Sequence, residues 1–146
     1  MKNSVLWADD DAQHSLLSLH WLLTKRGLAV DTAFNYVGAH DLIVERSRAA
    51  TPFHSALLDV ILPFAPQKTT LQSYLGFKLA EDALSHGVQA VAFLTVVRQI
   101  EVLDEFQDIQ RRYGQTRFAY VDKLRLLEGS TIDELISFLL ADPRFY

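Results

Sequence analysis

The sequence contains no cysteine. Disulfides, thiolate metal sites and cysteine nucleophiles are therefore excluded. It also lacks an excess of positive charge: fourteen Lys and Arg stand against eighteen Asp and Glu, a net charge of −4. That argues against a nucleic-acid surface, which needs a basic stripe. No apolar run approaches the ~18 residues that a membrane span requires. No Gly/Ser-rich linker, internal repeat or low-complexity tract marks a boundary, so residues 1–146 read as one domain. The five histidines fall in no H-x-H or H-E-x-x-H spacing, and no P-loop, G-x-S-x-G or G-x-G-x-x-G is present. Zinc hydrolysis, Walker-type nucleotide binding and serine-hydrolase chemistry lose their usual signatures with them.

What is present is a chain suited to a buried core. Hydrophobic residues make up 49% and charged residues 22%, with mean hydropathy +0.07, too apolar for disorder. A chain of this length buries about two-thirds of its unfolded surface. A cytoplasmic protein, monomeric or weakly dimeric, with neither membrane nor nucleic acid as partner, is expected. The core is expected over about 5–140, with only the extreme ends dispensable.

Periodicity alternates along the chain. Val5-Leu6-Trp7-Ala8 reads as a short buried strand. Ala12, Leu16, Leu19 and Leu23 then fall at helical spacing, with Asp11 the expected N-cap and Gly27 the C-cap. Leu28 to Ala33 alternates like a half-buried strand, and Asn35 caps a helix carrying Ala39, Leu42 and Ile43. Ser55 to Leu62 is a strand run broken only by Asp59, and 64–74 is an extended polar loop. A helix over Leu75 to His86 stops at Gly87, followed by a strand run from Val88 to Val97. One amphipathic helix is expected over Gln99 to Tyr113, with Ile100, Leu103, Phe106 and Ile109 facing inward. A strand over Arg117 to Val121 precedes a last helix, for which Ser130/Asp133 and Thr131/Glu134 both fit a capping box. Five strands alternating with five helices predict an α/β fold, a doubly wound parallel sheet covered on both faces.

In such sheets ligands bind at the carboxyl ends of the strands, so the residues that end the strands matter most. The first strand ends in Asp9-Asp10-Asp11, the third carries Asp59, the fourth ends at Thr95 and the fifth at Lys123. Carboxylates gathered at one rim repel one another unless a cation joins them. An all-oxygen donor set with room for water suits Mg²⁺. A lysine and a hydroxyl beside it suit the oxygens of a phosphoryl group. Taken singly, Thr95 is an ordinary strand residue, Lys123 a surface lysine and Tyr120 a core residue. Only the joint pattern raises them.

That pattern, from Val5 to about Leu140, resembles the receiver domain of two-component response regulators. The resemblance implies a flavodoxin-like receiver fold with sheet order 2-1-3-4-5. It implies Asp59 as phosphoacceptor, with Mg²⁺ held by Asp9, Asp10, Asp59 and the Ile61 carbonyl. Thr95 and Lys123 would bind the phosphoryl oxygens, Tyr120 would be the aromatic switch, and Pro63 matches the proline that follows the acceptor. The sequence departs from the family pattern at Leu124, where the family has a cis proline, and at Val96, where it has a small residue. A trans Lys123–Leu124 peptide is therefore expected. Ile61 and Val97, both apolar, are expected to flank the path of the hydrolytic water.

The function so implied is a phosphoacceptor module of a phosphorelay, not an enzyme. It would accept a phosphoryl group from a histidine kinase or histidine phosphotransfer protein and signal to a downstream partner through a changed docking surface. With the chain ending at Tyr146, it would act by docking, as a relay or stand-alone regulator, or as a piece of a longer protein. The alternative is a degenerate receiver that acts as a phosphorylation-independent interaction module. A phosphatase of the haloacid-dehalogenase kind needs a second Asp two residues beyond the first, and Ile61 stands there.

Overall fold

The computed structural model describes residues 3–12, 17–66, 74–126 and 128–140. The strands are β1 (Ser4–Ala8), β2 (Ala29–Ala33), β3 (Ser55–Leu58), β4 (Ala90–Thr95) and β5 (Arg117–Asp122). The helices between and after them are α1 (Leu17–Lys25), α2 (Tyr36–Arg48), α3 (Leu75–Ser85), α4 (Leu103–Arg112) and α5 (Gly129–Leu140). All strand pairs are parallel, in the order β2-β1-β3-β4-β5. The expected doubly wound sheet of order 2-1-3-4-5 is thus what forms. Of the long 64–74 loop, 67–73 lie outside the described residues, as does Leu16.

The central strands β1, β3 and β4 are buried on both faces while the edge strands β2 and β5 are partly exposed, and the alternation sorts the core into two halves. Leu6, Ala8, Ala56, Leu58, Val91 and Phe93 pack on one side with Ile43, Leu79 and Phe106. Val5, Trp7, Leu57, Ala92 and Leu94 pack on the other with Leu19, Leu23, Leu135 and Leu139. Each of the buried Val, Leu, Ile and Phe side chains contributes about 1.5–3 kcal/mol by leaving water. Gly27 (φ 96°) and Gly87 (φ 95°) end α1 and α3 in the left-handed region that glycine adopts without penalty. Among the described residues no helix is long and apolar enough to cross a membrane.

The start of α2 is tied to the segment after β3. Asn35 Oδ1 accepts from Gly38 N at 2.8 Å, the expected N-cap. The next free amides are taken by that segment: Tyr36 N donates to the Pro63 carbonyl at 2.8 Å and Val37 N to the Phe64 carbonyl at 2.9 Å. The Tyr36 and Phe64 rings stack at 5.8 Å with an interplanar angle of 15°.

Three local expectations are corrected. The helix expected over 99–113 opens as a 3-10 turn, Gln99–Val102, before α4 begins. The tighter turn shifts the phase. Val102 is buried while Ile100 is 71% exposed, so the inward stripe runs Val102, Phe106 and Ile109. The last helix starts at Gly129, which places Ser130 and Thr131 inside its first turn rather than at its cap. Finally, β4 stops at Thr95, and Val97 turns into the core, 7% exposed, instead of lining an approach to the rim. Val96 is the exposed member of the pair.

Candidate functional site

The parallel strands bring their carboxyl ends to one rim, and Asp9, Asp59, Thr95 and Lys123 each occupy such an end. Asp9 follows β1, and its amide donates to the Ala33 carbonyl at 2.9 Å. Asp59 follows β3, and its amide donates to the Ala8 carbonyl at 2.9 Å. Both side chains are oriented in the same way. Asp9 Oδ1 accepts from Asp11 N at 2.9 Å, and Asp59 Oδ1 accepts from Ile61 N at 3.1 Å. These local turns leave each Oδ2 facing inward. Lys123, directly after β5, puts its Nζ 2.8 Å from both Oδ2 atoms. The contact with Asp59 is a hydrogen bond, whereas that with Asp9 is an ion pair off the hydrogen-bonding angle. The Lys123 side chain is only 8% exposed, and its Nζ reaches Asp11 Oδ2 at 3.3 Å as well.

The Lys123–Asp59 pair is thus part of a larger cluster. Asp11 places its Oδ2 on Lys123; residues 13–16, which it is expected to cap, lie outside the described residues. Burial, and then the neighbouring Asp59 charge, push the Asp9 carboxyl up to about 6. Asp10, exposed at the rim, is raised by partial burial and by the charges of Asp11 and Asp59. Burial works against the charged form of Lys123, but the Asp59 and Asp9 carboxylates outweigh it and hold its pKa above the ordinary lysine value.

Asp9, Asp10 and Asp59 each offer a carboxylate oxygen, and these lie within 4.8 Å of one another. Asp9 Oδ2 is buried with no well-directed donor. An oxygen-only set with one such unsatisfied acceptor fits a hard divalent cation.

Thr95 is fully buried at the end of β4, and its Oγ1 accepts from Val97 N at 3.2 Å. Tyr120, half-buried on β5, donates its hydroxyl to the Val97 carbonyl at 2.6 Å and packs against Phe93 and Phe106. The N–H and C=O of one residue, Val97, are thus held by the two residues expected to act as hydroxyl and aromatic switch. Burial, then the Asp59 charge, raises the Tyr120 phenol, so it remains a donor. The Lys123–Leu124 peptide is trans, since the described residues contain no cis bond, and Leu124 is 74% exposed.

One contact was not anticipated. Gly76, in the first turn of α3, rests on the Asp59–Val60 backbone, with its amide donating to the Val60 carbonyl at 3.0 Å. The available signal was a glycine inside a helix, which costs about 1 kcal/mol unless packing requires it.

The sequence matches no protein-family model and no curated protein. Solved structures do match. A two-component response regulator from Clostridium difficile is similar at 16% identity and TM-score 0.66, covering 95% of this chain and 96% of that one. The BeF3-activated N-terminal receiver domain of Klebsiella pneumoniae RstA is similar at 17% identity and TM-score 0.64, covering 95% and 100%. A Burkholderia pseudomallei response regulator, with a phosphorylated aspartic acid, calcium ion and citrate, is similar at 17% identity and TM-score 0.61, covering 99% and 70%. The strand order, the five covering helices and these likenesses together show that the chain has the receiver-domain fold of response regulators.

Proposed function

We propose that the chain is a phosphoacceptor module that takes a phosphoryl group onto Asp59 from a phosphohistidine on a histidine kinase or phosphotransfer protein. The observation that carries this reading is the buried Lys123 ammonium bridging Asp9 and Asp59, with Asp10 alongside, at the carboxyl ends of β1 and β3. The likeness to a BeF3-activated receiver and to a regulator with a phosphorylated aspartic acid supports it.

In this reading Asp59 Oδ2 attacks phosphorus, the new O–P bond forms, and the P–N bond breaks with its electron pair going to the histidine, whose other ring nitrogen already carries a proton, so that it leaves as neutral imidazole. Lys123 shifts from the carboxylate pair onto a phosphoryl oxygen, and Thr95 turns its hydroxyl proton onto another. Asp9, Asp10, Asp59 and the Ile61 carbonyl would hold Mg²⁺, which would neutralise charge developing on the transferred group. Thr95 and Tyr120 hold the N–H and the C=O of Val97, so a demand on the Thr95 hydroxyl reaches the segment that leads into the 3-10 turn before α4.

The test is incubation with acetyl phosphate and Mg²⁺, followed by intact mass. Wild type should gain one phosphoryl group, and Asp59→Asn or a chelator should abolish the gain. Labelling of Asp59→Asn at the wild-type level would overturn the assignment. A second reading, a phosphorylation-independent interaction module, is favoured by Tyr120 already lying inward on Val97. It is the one left standing if wild type takes up no phosphoryl group while its fold is intact.

A further inference from the structure

We infer that Gly76 is a positioning residue for the phosphoacceptor: the bare backbone of α3 clamps the Asp59–Val60 peptide and so sets where the Asp59 carboxylate points. This rests on the phosphoacceptor reading of Asp59. A Cβ built on Gly76 would lie 2.2 Å from the Asp59 carbonyl oxygen, 2.7 Å from Val60 Cα and 2.9 Å from the Asp59 carbonyl carbon. All three are backbone atoms, so no rotamer change can make room. Backbone conformation is not the reason for the glycine. Its φ is not positive, unlike those of Gly27 and Gly87, and an L-residue would sit comfortably in this helical turn. Space alone requires glycine here.

The contact is also bonded, because Gly76 N donates to the Val60 carbonyl at 3.0 Å. That carbonyl follows directly on Asp59, whose Oδ1 is held by the Ile61 amide at 3.1 Å. The acceptor side chain is thus oriented by residues 60 and 61, and those residues are oriented by α3. Any side chain at position 76 must push α3 off β3 or turn the 59–60 peptide, and either movement swings Oδ2 relative to Lys123. A misplacement on the order of 1 Å at a reacting atom costs up to ~100-fold.

The experiment compares Gly76→Ala with Leu139→Ala, which opens the core on the opposite face of the sheet. Both are measured for Mg²⁺-dependent uptake of beryllofluoride at a temperature where each is folded. Uptake affinity should fall about tenfold or more in Gly76→Ala. It should change by less than about twofold in Leu139→Ala, because distant sites act independently. Equal losses in the two variants, or wild-type uptake by Gly76→Ala, would overturn the proposal. If Gly76→Ala does not fold, amide exchange of wild type decides. Exchange of the Gly76 amide should slow at least about tenfold with Mg²⁺ and beryllofluoride, while α5 amides stay unchanged. No slowing at Gly76 would overturn it. Wild type that takes up no beryllofluoride overturns the phosphoacceptor reading itself, an outcome distinct from a Gly76→Ala that binds normally.

Discussion

Replacing Lys123 by methionine keeps the aliphatic stem and removes one charge from the centre of the acid cluster. In the folded protein that charge lies 2.8 Å from both Asp9 and Asp59 and is 8% exposed. Removing one partner of a buried ion pair costs about 3–5 kcal/mol. The loss should sit near the lower end, ~3 kcal/mol, because Asp9 is able to take up a proton. For a chain of this size each kcal/mol moves Tm by about 2–4 °C, so a drop of roughly 6–12 °C is expected at pH 8 in chelator. The pH dependence has a definite sign. Asp9 is raised in the folded state from 3.8 to about 6, so its contribution favours folding at low pH and is lost as pH rises through that window. Lys123 holds the Asp9 value down, and without it the window moves upward. The deficit of Lys123→Met should therefore be small near pH 5 and grow toward pH 8. Adding Mg²⁺ replaces the missing cation. The variant should bind it more tightly than wild type, and a concentration 100-fold above Kd restores ~2.7 kcal/mol. Thermal melts across pH, with and without Mg²⁺, read all of this. An unchanged Tm at pH 8, or an equal Mg²⁺ increment in both proteins, would refute the counter-ion role.

Two further outcomes follow from the segment after β4. Val97→Glu buries a carboxylate in the core and should cost at least about 3 kcal/mol, whereas the exposed Val96→Glu should stay within about 0.5 kcal/mol; urea melts compare them. Tyr120→Phe loses the bond to the Val97 carbonyl and should lower stability by about 1 kcal/mol, with faster amide exchange at Val97. An unchanged exchange rate there would mean that the hydroxyl does not hold the segment.

The strand ends were legible in the sequence for a topological reason. A parallel sheet aligns all its carboxyl ends, so Asp9, Asp59, Thr95 and Lys123 fall at one rim. Features that depend on phase or on contacts between distant elements were not legible. Ile100 and Val102 exchange places because a turn of three residues per repeat precedes α4, and apolar spacing alone does not distinguish the two. Val97 looks like a continuing strand residue until β4 stops at Thr95. The contact of Asp11 with Lys123 was not legible either, because only the closed sheet brings the two together. Gly76 shows its reason only when α3 meets the backbone of β3.

The amides of Tyr36 and Val37, spent on Pro63 and Phe64, tie the start of the long connection between β3 and α3 to α2. The chain from Asp59 to Phe64 is anchored on α2, and the chain from Gly76 onward is anchored on Val60. The strand end that carries the acceptor is therefore held from two helices, from α2 through Phe64 and from α3 through Val60, which makes both helices part of the frame of the acid cluster.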